Sequence, residues 1–365
     1  MNTFTTKFAH CINTRYYWGY NIFMKQNTAL FIHAYSPAQG GLEKLTGDVV
    51  NKWRSEGKQI DVFTGFGRTL DSYKTFSDYV DASQDPKYVH RLQINRFWQR
   101  VTNRIFYPLV LKFSLVSPWY FGPILKYEKQ HEEIIKNADL IMGFGLPTKM
   151  VWDAYQCAKK YGKKLQILPA YHDVSYYNNC SAFRQVFAYA DKILTLSDFE
   201  EEALVRNYPQ CKGKTERLEY MPFSEQQLKQ RPEILARLSK IREGRERRGI
   251  VCIGFVGQIT PRKNLKYFQW LLDDIEANPS KYPEYKDRKV KIFLAGIRTN
   301  GSPEVEKQLD KGIKEGKIEI RYDFKDEEKE YIYGNIDVFI NPSREESLGI
   351  VNMEAEYYGS VLSII

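Results

Sequence analysis

Apolar residues in this chain gather into short runs bounded by Gly, Pro, Asn, Asp and Ser, and between the runs they recur at helical spacing. Thr28 to His33 (TALFIH) reads as a first buried strand. The run Ser36 to Gly41 (SPAQGG) breaks it, and Leu42, Leu45, Val49 and Trp53 then repeat every three or four positions, which predicts a helix. Gln59 to Thr64 (QIDVFT) predicts a second strand, with Gly65 and Gly67 behind it. Asp139 to Gly145, Lys164 to Pro169 and Lys192 to Leu196 continue the series, with a helical stretch from Pro147 to Tyr161 between the first two. Ser197-Asp198-Phe199-Glu200 opens another helix with a cap and early acidic residues, as the helix dipole prefers.

The same rhythm restarts at Gly249 to Val256 (GIVCIGFV). Strands follow at Lys291 to Gly296, Ile318 to Tyr322, Asp337 to Ile340 and Ser360 to Ile365, with helices predicted over Pro303 to Lys314 and Asp326 to Tyr333. Between the two series, Ser224 to Gly249 is a charged helical segment with Lys240, Arg242, Arg245, Arg247 and Arg248 near its end, and it reads as a solvated face or a border of the ligand cleft. The pattern predicts an α/β chain: an amino-terminal extension over 1–27, a Rossmann-like domain over 28–223, a charged linker helix over 224–248 and a second Rossmann-like domain over 249–365.

Length and composition are compatible with this. A chain of 365 residues with 43% apolar content can bury two cores, and no window approaches the roughly 18 consecutive apolar residues that cross a bilayer. The first 26 residues lack the apolar core and small-residue cleavage site of a secretory signal. Cys11, Cys157, Cys180, Cys211 and Cys252 are odd in number, scattered and never in a C-x-x-C pair. Neither a disulfide framework nor a zinc site is expected, and a reducing cytoplasm fits best. The net charge of +9 suits nucleic acid, an anionic membrane or anionic substrates equally, so its position matters more than its sum.

One basic stretch is distinctive. Between Arg91 and Tyr127, Arg96, Arg100 and Arg104 are spaced by four beside Phe97, Val101 and Ile105 at the same spacing. As a helix this is a cationic stripe along an apolar one, suited to the surface of an anionic membrane with Trp98, Phe106 and Trp119 at the headgroup boundary. The plainer reading is a surface helix whose apolar side is core. Nucleic acid is not expected, because no RNP, KH or zinc-knuckle pattern accompanies the aromatics.

The chemistry concentrates in Asn341 to Gly359, NPSREESLGIVNMEAEYYG. A loop that follows the carboxyl end of a strand and opens a helix offers unpaired N–H groups and a partly positive dipole to a phosphate. Leu348, Gly349 and Ile350 would present those amides, with Gly349 letting the backbone come close. Glu346 in the loop and Glu354 one turn into the helix are eight apart and could face one ligand. A second loop, Gly257 to Asn264 (GQITPRKN), ends with Lys263, whose ammonium can meet a diphosphate at the top of the preceding strand.

The Glu-x7-Glu spacing, with Ala355 and Gly359 after it, resembles the signature of the retaining glycosyltransferases of the GT-B fold, in the large family 4 group. That resemblance implies two Rossmann-like domains facing a cleft, the first on the acceptor side and the second binding the nucleotide sugar, with Glu346 on the donor sugar, the Leu348 to Ile350 amides on the diphosphate and Glu354 on the ribose. It implies that Gly41, at the end of a glycine-rich loop with Glu43 close behind, lies across the cleft from the donor, and that His172, in the pair His172-Asp173, touches the donor sugar or the acceptor while Asp173 is structural. In the family a glycine-arginine pair and a lysine five residues beyond hold the donor phosphates. Here Lys263 is present but Gln258 stands in the place of that arginine, which removes a permanent charge and bidentate geometry unless Arg262 compensates. The resemblance also implies further helices beyond Ile365, so that the second domain is expected to be incomplete.

These readings name Glu346, His172 and Lys263 as catalytic and Gly41, Gln258, Arg262, Lys263, Leu348, Gly349, Ile350 and Glu354 as donor-binding. No cofactor or metal is expected beyond the nucleotide-diphosphate sugar as co-substrate, since no D-x-D or H-E-x-x-H occurs. The expected partners are a nucleotide sugar, a saccharide or lipid-linked saccharide acceptor and the cytoplasmic face of an anionic membrane. The alternatives are a truncated, non-catalytic relative that binds sugar nucleotide or a partner, and a basic membrane-surface protein.

Overall fold

The computed structural model describes residues 26–38, 40–70, 72–106, 122–173, 181–343 and 348–364. Seven strands, β1 (Asn27–Phe31), β2 (Gln59–Thr64), β3 (Val89–Arg91), β4 (Leu140–Phe144), β5 (Lys164–Leu168), β6 (Lys192–Thr195) and β7 (Thr215–Arg217), form one sheet in the order β3-β2-β1-β4-β5-β6-β7. Five more, β8 (Ile250–Val256), β9 (Lys289–Gly296), β10 (Ile318–Tyr322), β11 (Val338–Asn341) and β12 (Val361–Ile364), form a second in the order β10-β9-β8-β11-β12. The neighbouring strands are parallel throughout, with registers such as Thr28 opposite Leu140 and Val338 opposite Ile253.

Burial on both faces explains why the central strands β1, β4 and β8 are apolar with little alternation. Side chains of successive strand residues point to opposite faces. In the first sheet Leu30, Ile32 and Val62 pack with Leu45, Val49 and Val50 of helix α1 (Gly41–Ser55), while Ala29, Phe31 and Phe63 share the other core with Met150, Val151 and Ala154 of helix α2 (Lys149–Tyr161). Parallel sheets covered in this way leave no solvent-facing register for polar residues. Helix α3 (Asp198–Asn207) follows β6, with Ser197 Oγ accepting from the Glu200 amide as its cap.

Two expectations need correction here. The charged segment forms helix α4 (Glu225–Glu246); Lys240, Arg247 and Arg248 at or just past its end are exposed, as a solvated face requires, but none of its residues lines the cleft and several of its arginines turn inward. Arg231 donates to the Glu356 and Tyr357 carbonyls, Arg242 to those of Tyr333 and Tyr358, and Arg245 to Asp337 and the Gly334 carbonyl. Its arginines clamp it onto the second sheet's helices. A face built from long cationic side chains packs through its stems and reads as polar in sequence.

The basic aromatic stretch is helical over Arg96–Val101 and continues as a π-helical turn over Thr102–Phe106, but its inward face is not the apolar stripe. Gln99 and Thr102 are the buried residues, with Gln99 Oε1 accepting from the Ile124 amide. Phe97, Trp98 and Ile105 point outward, the first of them 68% exposed, beside exposed Arg96, Arg100 and Arg104. The side chain of Phe106 and the whole of Trp119 lie outside the described residues. Among the described residues no helix is long and apolar enough to cross a membrane.

Candidate functional site

The strand orders locate the site. In each sheet the chain starts in the middle, runs outward through three strands and returns to the far side of the first, so the crevice opens at the carboxyl ends of β1 and β4 and of β8 and β11. Ligands of open parallel sheets bind at such switch points. The two sets of carboxyl-end loops line one cavity of about 930 Å³, ample for a nucleotide sugar. They touch: a Cβ built on Gly41 would lie 3.7 Å from Ile350 Cδ1, and Leu348 and Ile350 pack against the apolar cluster of the first sheet.

On the first-sheet wall, α1 begins at Gly41 and places Glu43 in its first turn. Glu43 Oε1 lies 3.2 Å from Nε2 of His33, just past the end of β1, and both side chains are about nine-tenths buried. The Glu43 carboxylate lies so close to Gly40 that a Cβ there would sit 2.1 Å from Oε2. His172 lines the same wall, two residues after Ala170, a non-glycine residue at φ 46°. Its loop is pinned by Glu200 of α3, whose two carboxylate oxygens accept from the Tyr171 and Leu196 amides at 2.6 Å each. Burial pushes the Glu200 carboxyl up to about 7, with the two amide donors pulling the other way. Asp173 is held by Arg206 and Asn207 of α3.

On the second-sheet wall, β8 is followed by Gly257, whose carbonyl passes so near β9 that a Cβ on Gly296 would lie 1.5 Å from it. Gln258, Arg262 and Lys263 line the cavity from this loop, the last two in a 3-10 turn over Pro261–Lys263. Helix α5 (Lys329–Gly334) precedes β11, and helix α6 (Ile350–Tyr357) follows it. Gly349 caps α6 at φ 66°, in the left-handed region, and lines the cavity with Ile350 and Val351 at the start of the helix.

Glu354, one turn into α6, is almost fully buried. Lys329 Nζ donates to its Oε1 at 2.8 Å and the Tyr333 hydroxyl to its Oε2 at 2.9 Å. Burial pulls the Lys329 ammonium down, but the carboxylates of Glu354 and Asp326 together outweigh it and hold it above its ordinary value. Burial and the Glu354 carboxylate raise Tyr333 well above the usual phenol range. Each carboxylate oxygen accepts two hydrogen bonds, so both retain capacity for ligand hydroxyls.

Of the residues singled out from sequence, Gly41, His172, Gln258, Arg262, Lys263, Leu348, Gly349, Ile350 and Glu354 line this one cavity. Glu346 lies outside the described residues. Sequence reasoning passed over His33, Glu200, Lys329 and Tyr333. The last two stand four apart on a predicted helix, and that spacing already placed an amine and a phenol on one face.

Comparison with known proteins agrees with this geometry. Residues 240–362 match the family model described as glycosyl transferases group 1. No curated protein matches the sequence. Among solved structures, sucrose-phosphate synthase from Thermosynechococcus elongatus superposes with a TM-score of 0.60 at 16% identity, over 93% of this chain and 81% of that one. HepE of Anabaena, solved with UDP and glucose, gives 0.57 at 14% over 92% and 80%. WaaG, a glycosyltransferase of lipopolysaccharide biosynthesis, gives 0.52 at 16% over 92% and 80%. The chain therefore has the GT-B fold. The family match lies within the part of the chain that holds the second sheet, and the likeness in fold extends over nearly all of it.

Proposed function

We propose that this protein is a retaining, metal-independent glycosyltransferase that moves a sugar from a nucleotide-diphosphate sugar to a saccharide or lipid-linked saccharide acceptor. The observation that carries this is the convergence of the Gln258–Lys263 loop, the start of α6 and Glu354 on one side of a cavity whose other side holds His172 and Glu43. In this reading the diphosphate lies between the α6 amides and the side chains of Arg262 and Lys263, and the ribose hydroxyls bond to Glu354. In the same reading His172 faces the transferred sugar, and Glu346 is the residue expected to contact its hydroxyls. As the anomeric C–O bond breaks, negative charge grows on the departing diphosphate beside Lys263 and the helix amides. The acceptor oxygen bonds to the same face of the anomeric carbon, and its proton passes to a diphosphate oxygen. Incubation of the full chain with a panel of nucleotide sugars should release nucleoside diphosphate with at least one of them, and Glu354→Ala should weaken uptake of that donor. Binding of none, or binding indifferent to Glu354, would refute the assignment.

The finer placement rests on the exposed patch. Phe97, Trp98 and Ile105 lie outward among three exposed arginines, a combination of apolar and cationic groups that complements an anionic lipid surface. It supports peripheral attachment to the cytoplasmic face of a membrane, where a lipid-linked acceptor would be met.

A further inference from the structure

Between the end of β7 at Arg217 and the start of α4 at Glu225 the chain passes from one sheet to the other, and from Tyr220 to Phe223 it is fastened to both walls of the cavity. The Tyr220 hydroxyl donates to Asp48 Oδ2 of α1 at 2.6 Å, and Lys44 Nζ of the same helix donates to the Pro222 carbonyl at 3.4 Å. Asp48 and Lys44 line the first-sheet wall. The Phe223 ring lies flat on that of Tyr357 at the end of α6, with centroids 4.0 Å apart and 14° between the planes. Helix α6 carries Glu354 and opens on the second-sheet wall. Tyr220 and Phe223 are thus held by different walls, with only Met221 and Pro222 between them.

The fastening on the second wall reaches Glu354 through packed rings. Tyr357 is almost fully buried, its hydroxyl donates to the Gln227 carbonyl at 2.7 Å, and Arg231 donates to its own carbonyl at 3.0 Å. Its ring meets Tyr358 edge-on at 4.9 Å, Tyr358 stacks on Tyr333 at 5.0 Å, and the Tyr333 hydroxyl donates to Glu354 Oε2. Rings packed in this way shift together, because a pair that separates loses its contacts and its preferred geometry. The fastening on the first wall lies close to the same carboxylate: burial first, then Asp48 and after it Glu354, hold the Tyr220 phenol well above its usual range. The walls also meet where Ile350 approaches Gly41, but apolar contact is non-directional and sets no angle between them.

Resting on the transferase reading, we propose that Tyr220 and Phe223 are positioning residues: they form a strap that sets the spacing of the two walls and, through Tyr357, holds Glu354 where a donor ribose meets it. Neither is among the described residues lining the cavity, so their effect on binding passes through Asp48 and Tyr357. A strap works only while both ends hold, and two independent contacts would instead contribute additively. Titration calorimetry with UDP, dTDP, GDP and ADP in turn, and small-angle X-ray scattering of the ligand-free full chain, test this in Phe223→Ala, Tyr220→Phe and the double variant. Each single variant should enlarge the radius of gyration and weaken binding of the preferred diphosphate by up to about tenfold. The double variant should be no weaker than the poorer single one, and Phe223→Tyr, which keeps the ring, should bind as the unaltered protein does. If Phe223→Ala does not fold, Phe223→Leu, which keeps apolar bulk without the flat face, takes its place. An unchanged radius in either single variant, losses that multiply in the double variant, or Phe223→Tyr as weak as Phe223→Ala overturns the proposal. Should the radius grow in both single variants while none of the four diphosphates binds the unaltered protein, the transferase assignment falls and the strap stands.

Discussion

Lys329 Nζ lies 2.8 Å from Glu354 Oε1, the lysine side chain 16% exposed and the glutamate 6%. The carboxylate proposed to meet a ribose is thus held by an ammonium on one oxygen and the Tyr333 hydroxyl on the other. Removing the lysine leaves a buried charge half-compensated. Lys329→Met is expected to destabilise the fold by about 3 kcal/mol and Tyr333→Phe by about 1 kcal/mol in chemical denaturation. Both should also weaken donor binding measured by calorimetry.

Glu200 connects stability to pH. Its folded value of about 7 lies above the ordinary 4.5, so the native state holds this proton more tightly than the unfolded chain. The stability it contributes is full below pH 4.5 and is lost as pH rises through about 7, a change of about 3 kcal/mol. Glu200→Gln should flatten that part of the melting-temperature profile. It should also loosen the His172 loop, because the new NH2 group faces a backbone donor where a carboxylate oxygen accepted. Parallel pH slopes for both proteins would contradict this.

Two glycines should resist substitution for different reasons. At Gly349 an alanine meets a positive φ and lies 2.8 Å from Asn352 Nδ2, so a loss of about 1–2 kcal/mol with weakened donor binding is expected. At Gly296 the new Cβ would collide with the Gly257 carbonyl, which is backbone and cannot swing aside. Gly296→Ala should therefore cost more in thermal denaturation than Gly349→Ala.

Gln258 can donate to a diphosphate but carries no charge. Gln258→Arg is expected to tighten nucleoside-diphosphate binding about tenfold and to steepen its salt dependence, while Arg262→Ala weakens it by a similar factor. An unchanged affinity in both variants would place the diphosphate elsewhere in the cavity.

The outward patch predicts a lipid effect separable from chemistry. Flotation with vesicles rich in anionic lipid should recover the protein at low salt, and replacing Arg96, Arg100 and Arg104 together by Ala should abolish recovery. No difference between the two proteins removes the membrane from the account.

By itself the sequence determined the class of fold and most of its parts. Gln59–Thr64 and Ile318–Tyr322 were readable to the residue, because apolar residues recur at alternate positions in each, Ile60 and Val62 in one and Ile318, Ile320 and Tyr322 in the other, and turn residues end them. Gly349 was readable too as the glycine of a strand-to-helix loop, and it holds φ 66°, a conformation that a side chain strains. The tertiary structure alone decided the rest. Val89–Arg91 and Thr215–Arg217 are three-residue strands at the two edges of the first sheet, and their pairing comes from their neighbours, with no apolar run of their own. The roles of α4's arginines, of Glu200 and of Lys329 depend on which carbonyl, amide or carboxylate another segment brings within 3 Å. Local pattern records whether a residue is apolar; a polar residue's partner is set by the packing of distant elements, and so is the difference between a solvated charge and a buried clamp.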